Sequence, residues 1–363
     1  MMYKKLNELL QYEQPTKYLV KTTNYSEEYK IPVLTAGQSF ILGYTNEEEN
    51  VFLNENLPVI IFDDFTTSSK FVDFQFKVKS SAMKILRLIG NDNIKYIYYA
   101  MQNINFDNSI HKRYWISEYG NIKIKIPSLE EQNNIVKELD LIEEMIEEYE
   151  KEIWLLDELI ATRFIEEFGT IDKPKFNKMK LKEISKIITG NTPSRKIKEY
   201  YGNDIEWIKS DNINNNNLYL TKAVEGLSNL GKSKGRVAPI NSILVTCIAG
   251  SLACIGNAGI NNREVCFNQQ INAIVPNQNL NYLFMYIQII NNKKYIQSFV
   301  NESMKGILSK GKMEEIEFIV PPIEKQNDFA KIVNHIETMK EDYRKTINQT
   351  LELKSKLMNK YFN

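Results

Sequence analysis

Shifting the 363-residue chain by 194 positions lays Ile126-Pro-Ser-Leu-Glu-Glu-Gln-Asn-Asn on Val320-Pro-Pro-Ile-Glu-Lys-Gln-Asn-Asp. Residues 126–169 and 320–363 share 15 identities in 44 positions, among them Pro127/Pro321, Gln132/Gln326, Tyr149/Tyr343 and Leu159/Leu353. About three would arise by chance at average residue usage. A duplication of this kind constrains the fold more than any single motif, because each copy must be built on the same plan.

Both copies open with an alternating strand that stops at proline, Ile122–Pro127 and Ile316–Pro321, and then enter a long helix. Ser128 with Glu131 three residues on reads as a capping box. Behind it Ile135, Leu139, Ile142, Ile146, Tyr149, Ile153, Leu156 and Ile160 alternate spacings of four and three, a coiled-coil seam. The second copy keeps Phe329, Val333, Ile336, Tyr343 and Ile347 on that seam but also places Lys340, Thr350 and Lys354 there. Either helix alone would leave an apolar stripe in water, so the two are expected to bury each other.

A block of mixed strand and helix signals precedes each helix. Lys5–Leu9 parallels Lys180–Ile184, the apolar run Pro58–Phe62 parallels Ser242–Thr246, and Lys79–Leu86 parallels Asn268–Val275. Helical stretches follow at Tyr96–Gln102 and Tyr282–Gln288. The expected fold class is a duplicated α/β (α+β) arrangement with pseudo-two-fold symmetry. Two globular domains, 1–127 and 170–320, alternate with two helices, 128–169 and 321–363, which form an antiparallel coiled coil.

Composition removes several function classes. No run approaches the roughly 18 apolar residues of a membrane span, and the first residues lack the apolar core of a secretory signal. Three cysteines without a CxxC pair and two histidines cannot furnish a zinc site or disulfide framework. No metal site is expected, and the setting is read as a reducing cytoplasm. Lys and Arg balance Asp and Glu, 46 against 46, but unevenly. The four segments just named carry net charges of +1, −11, +8 and +2 in the order 1–127, 128–169, 170–320 and 321–363. One acidic helix therefore masks a basic remainder able to meet a polyanion.

Gly226–Ser233 matches the phosphate-loop pattern GxxxxGK[ST], but Gly235 and Pro239 argue against the helix that pattern needs, so the segment reads as a basic surface loop. Asp63-Asp64 could be paired carboxylates for metal-assisted hydrolysis; a loop-capping role is favoured. His111 lacks a visible partner for general-base work, and Cys247, Cys254 and Cys266 read as core thiols. No Asn-Pro-Pro-Tyr or Asp-Pro-Pro-Tyr string and no strand-borne GxGxxG is present, so neither a flipped adenine nor a dinucleotide has a site. No catalytic residue is assigned.

What remains are polar, basic loops that recur in both blocks. Their DNA-contacting candidates in the first are Thr35, Gln38, Ser39, Thr66, Thr67, Lys79, Ser80, His111, Lys112 and Arg113. In the second they are Thr192, Ser194, Arg195, Lys196, Lys209, Asn212, Lys232, Lys234, Arg236, Ser251, Gln269, Gln270 and Lys305. Asn and Gln can pair with adenine and Arg or Lys with guanine, while Ser, Thr and Lys hold phosphates.

This arrangement resembles the specificity subunits of type I restriction–modification systems over nearly the whole chain. The resemblance rests on Ile31-Pro-Val-Leu-Thr-Ala-Gly, Pro58–Thr67 and His111–Ile116 in the first block, and on Gly190-Asn-Thr-Pro-Ser, Ile205–Lys209 and Cys266–Ile274 in the second. The Pro-x-Leu/Ile-Glu-x-Gln openings of both helices look like the family's two conserved spacers. The resemblance implies a non-catalytic reader of double-stranded DNA whose two target-recognition domains each read half of a split, asymmetric site. It implies two adenine-N6 methyltransferase subunits that bring S-adenosylmethionine, and ATP- and magnesium-dependent restriction subunits in restricting systems, with no cofactor on this chain and no membrane. Glu138, Glu144, Glu148 and Glu152 on the acidic helix are the expected face for the methyltransferases. The alternatives are the recognition subunit of an orphan methyltransferase and a coiled-coil scaffold that binds no DNA.

Overall fold

The computed structural model describes residues 2–35, 39–110, 112–213, 217–300 and 306–363. They fall into two compact units: the chain up to Tyr149 together with Lys345–Asn363, and Glu150–Arg344.

The first unit holds an antiparallel sheet in the order Leu10–Glu13, Met83–Leu88, Val59–Asp63, Ser69–Val72. A smaller sheet sets Ile31–Leu34 between Ile41–Thr45, antiparallel, and Lys77–Val78, parallel. The ribbon Met2–Lys5 with Lys123–Ile126 closes the unit against the long helix. The second unit repeats the plan: Ser185–Thr189, Ile271–Pro276, Ile243–Thr246 and Ala258–Ile260 form the larger sheet. Tyr201–Ile208 runs parallel to Val265–Phe267 in the smaller one, and Lys178–Lys180 pairs with Glu317–Ile319. The strands at the sheet centres are buried on both faces, which is why they read as unbroken apolar runs.

The ladders correct the sequence alignment at two strands, each by one residue. Ile60 stands where Ile243 does rather than Leu244, and the strand beside it shifts likewise. Leu86 lies between Tyr12 and Ile60, and Ile274 lies between Ile187 and Ile243, so Leu86 corresponds to Ile274 and Lys84 to Asn272. The loop before this strand has four residues, 79–82, in the first unit and three, 268–270, in the second. Composition alone slides across that difference; strand register does not, because one step turns every side chain to the other face.

The repeated Gln explains itself in the packing. Asn93 caps the helix Ile94–Gln102, and Asn281 caps Tyr282–Asn291, each accepting two backbone N–H groups. The backbone N–H of Asn93 donates to Gln132 Oε1 at 2.8 Å, and that of Asn281 to Gln326 Oε1 at 2.9 Å. Both glutamines are fully buried and donate to the carbonyls of Pro127 and Pro321. Asn133 and Asn327 accept from the two capping side chains, each at 2.8 Å. The Pro…Gln-Asn string is therefore the joint between a domain helix and its long helix.

Those long helices are Leu129–Phe168 and Ile323–Phe362, and they pack together. In the first unit Ile135, Val136 and Leu139 share a core with Met358, and Lys354 pairs with Glu143. In the second, Phe164 and Phe168 stand edge-on to Phe329, and Lys340 meets Asp157 at 2.6 Å. Early residues of each helix meet late residues of the other, so the pair is antiparallel. The polar seam positions have partners: Lys340 also bonds Glu337 at 2.7 Å, and the Thr350 hydroxyl donates to the Thr346 carbonyl.

Two sequence expectations change. The segment within Gly226–Ser233 is not a loop throughout: Asn229–Lys234 is a short helix capped by Ser228, whose Oγ accepts from Gly231 N–H. A side chain at Gly231 would strike the Tyr200 carbonyl, so its glycines serve close packing rather than a phosphate. Cys247 and Cys266 are buried, with their thiols pushed up by burial to about 12 and about 11, but Cys254 is exposed at a surface turn and is not a core thiol.

Candidate nucleic-acid interface

In the second unit's smaller sheet, Trp207 and Ile208 pair in parallel with Cys266 and Phe267, while Val237 pairs antiparallel with Cys266. Lys209, Asn268 and Arg236 therefore leave the sheet at one end. Asn191 N–H donates to the Phe267 carbonyl at 3.1 Å and brings the 190–196 loop to the same end. Only glycine fits at 190, since a Cβ would lie 2.1 Å from the Asn268 carbonyl. The Asn191 amide donates to the Lys234 carbonyl, and the Thr192 hydroxyl to Gln269. This edge thus collects Thr192, Ser194, Arg195, Lys196, Lys209, Lys234, Arg236, Gln269 and Gln270.

The first unit builds the same edge. Val33 and Leu34 pair with Lys77 and Val78, and Lys79 N–H donates to the Leu34 carbonyl, so Thr35 and Lys79 emerge together with Ser39 in the loop between them and the returning strand. Asp64 N–H reaches the Ala82 carbonyl, and Tyr114 N–H reaches the Asp64 carbonyl at 2.9 Å, which draws in Lys112 and Arg113. In the second unit Cys247 bonds the Gln270 carbonyl and Leu308 bonds the Cys247 carbonyl. Tyr114 and Leu308 are related by the same 194-residue shift as the long helices.

Electrostatics differ sharply from residue to residue. Arg195 makes a two-pronged pair with Glu225 at 2.8 and 3.1 Å and lies over the rings of Tyr201, 4.8 Å away, and Trp207, 5.1 Å away. Lys209 bonds the same carboxylate. Arg195 first, then Lys209, hold the Glu225 carboxyl down to about 2. Lys79 and Arg113 lie over Tyr25 and Phe65, and Lys112 pairs with Glu118.

Several expected contacts are turned to structural work. Asn212 is buried: its Oδ1 accepts from Lys209 N–H and its amide donates to Thr221 and the Lys222 carbonyl, closing the loop that carries Lys209. Thr66 donates to Asp63 and Thr67 to the Thr66 carbonyl, while Ser80 accepts from Ala82 N–H. Ser251 caps the turn Leu252–Cys254, and Lys232 pairs with Glu264 at 3.1 Å. Asp63 caps its own loop, as expected. Gln38, His111 and Lys305 lie outside the described residues. Glu225, Tyr201 and Trp207 escaped the sequence reading, because a carboxylate 30 residues from its arginine leaves no local signal. On the acidic helix Glu138, Glu144, Glu148 and Glu152 are all exposed, and Glu138 also accepts from the Tyr361 hydroxyl. Among the described residues no group of three or more His, Cys, Asp or Glu could hold a metal, and no helix is long and apolar enough to cross a membrane.

Two like units, each gathering basic and amide-bearing loops on one sheet edge, define a duplicated recognition module. The family model described as the type I restriction modification DNA specificity domain matches residues 174–353. The EcoR124I/EcoR124II type I restriction enzyme specificity subunit of Escherichia coli is 32% identical over 97% of this chain and 90% of its own length. The HindI specificity subunit of Haemophilus influenzae is 29% identical over 48% of this chain and 37% of its own. Among solved structures, the S subunit of a type I restriction–modification system from M. genitalium covers 100% of this chain with 96% of its own, at TM-score 0.59 and 15% identity. A chain from a structural study of type I complex assembly and conformational transition covers 99% with 97% of its own, at TM-score 0.55 and 15% identity. The chain belongs to the family of type I restriction enzyme specificity subunits, which are non-catalytic DNA-recognition subunits.

Proposed function

We propose that this chain reads a bipartite, asymmetric site on double-stranded DNA, one half through the sheet edge of residues 1–127 and the other through that of 170–320. The observation that carries the reading is the twofold construction of one edge by the same ladder register, furnished with different side chains. Thr35 and Lys79 stand in the first unit where Lys209 and Asn268 stand in the second. Equal scaffolds with unequal readers give two different half-sites, and pseudo-two-fold repeats suit the dyad of a duplex.

The helices 128–169 and 321–363 then serve as spacers on which two adenine-N6 methyltransferase subunits dock, with Glu138, Glu144, Glu148 and Glu152 as an acidic docking face. Those subunits supply S-adenosylmethionine, and restriction subunits, where present, supply ATP- and magnesium-dependent translocation; this chain binds none of these itself. Methylome sequencing of cells carrying the chain and its methyltransferase tests the reading. The expected result is an asymmetric split motif, and exchange of residues 170–320 with a relative changes one half alone. Change in both halves, or a continuous motif, overturns it.

A further inference from the structure

Arg195 and Lys209 differ from their neighbours on the second unit's edge. Lys196, Lys234 and Arg236 carry no side-chain ion pair or hydrogen bond among the described residues. Arg195 and Lys209 converge on one carboxylate, Glu225, and both lie over the Trp207 ring. None of the three is sequestered: their side chains are 54%, 35% and 34% exposed, in the order Arg195, Lys209, Glu225. A carboxylate on a surface meant for a polyanion should repel phosphate, so its place there needs a reason.

We propose that Glu225 is a specificity-determining residue, an internal stand-in for a DNA phosphate that keeps Arg195 and Lys209 from the backbone of arbitrary duplexes. A carboxylate offers the guanidinium fork the same two acceptors that a phosphate does, and that guanine offers through O6 and N7. The place of Arg195 over both the Tyr201 and Trp207 rings holds the guanidinium at the edge, so the fork can pass from Glu225 to a base edge without searching. Phosphates of a wrong sequence reach neither cation; a correctly placed base edge does. This inference rests on the edge facing DNA.

The test is binding of the full chain, alone and with its methyltransferase, to a short mixed-sequence duplex across a salt series. Each cation newly neutralising a phosphate adds about 0.9 to the salt slope, so Glu225→Gln is expected to steepen it by about 1.8. Between about 50 and about 200 mM salt that is on the order of a tenfold extra loss of affinity. Selection from a randomised duplex library should show reduced discrimination. Glu225→Asp, which keeps the charge, should retain the wild-type slope. Arg195→Ala with Lys209→Ala, leaving Glu225 intact, is expected to leave the mixed-sequence slope unchanged and serves equally if Glu225→Gln fails to fold. An unchanged slope in folded Glu225→Gln, or a slope flattened by about 1.8 in the double variant, overturns the assignment. Wild-type protein without salt-dependent DNA binding would instead overturn the DNA-facing reading on which it rests.

Discussion

Lys84 and Asp64 meet at 3.1 Å inside the first unit, their side chains 2% and 3% exposed, at the ladder positions that Asn272 and Cys247 fill in the second. The ion pair is costly to bury and is not the obvious stabiliser. Its second task is local: Asp64 Oδ1 accepts from Trp115 N–H at 2.8 Å, so the pair fixes the loop carrying Lys112 and Arg113.

Removing one partner should therefore cost far more than removing both. Asp64→Ala leaves a buried ammonium and is expected to lose about 3–5 kcal/mol in urea unfolding. The double variant Asp64→Cys with Lys84→Asn, which copies the second unit, should recover most of that loss. A double-variant cost equal to the sum of the two single-variant costs would show that the charges act independently.

The buried joint is expected to behave as a unit. Gln326 accepts from Asn281 N–H and donates to the Asn279 and Pro321 carbonyls. Gln326→Ala should cost about 1–3 kcal/mol for each buried group left unpaired. Hydrogen exchange should report it first at the N-terminal turn of Tyr282–Asn291, and Gln132→Ala should do the same at Ile94–Gln102.

Acid should dismantle the Glu225 cluster late. Its carboxyl ionises at about 2 in the folded chain against an ordinary 4.5, so the unfolded chain takes up the proton first as pH falls. The stabilisation is complete above about 4.5 and is lost as pH drops through about 2. The melting-temperature gap between wild type and Glu225→Gln should narrow across that window. Partial exposure keeps the gap small.

Phosphate contacts should separate from base contacts by their salt signature. Alanine at Lys196, Lys234 or Arg236 is expected to weaken binding to every duplex and flatten the slope by about 0.9 each. Gln269→Ala should relax one base position, with a discrimination loss of about 1–3 kcal/mol, and leave the slope alone.

Periodicity made the long helices, the central strands and the antiparallel seam legible, because each obeys a spacing rule that survives without tertiary context. Lys340 looked like a flaw in the seam until Asp157, 183 positions away, supplied its partner. Asn212 looked like a reader because asparagine suits adenine, yet the same donor and acceptor suit loop closure, and only burial separates the two. The one-residue difference between loops 79–82 and 268–270 lay hidden because polar residues tolerate a slip that strand ladders forbid.

The joint made by Gln132 and Gln326 has a consequence for inheritance. Apart from the Gln132 amide, which also donates to Asp92 Oδ1, its bonds end on main-chain groups and on two asparagine pairs, Asn93 with Asn133 and Asn281 with Asn327, and among the described residues none reaches a candidate DNA-contacting side chain. A segment exchanged between the two joints would therefore be expected to find its fitting already in place. Such an exchange would alter recognition without the slow repair that a foreign core would demand.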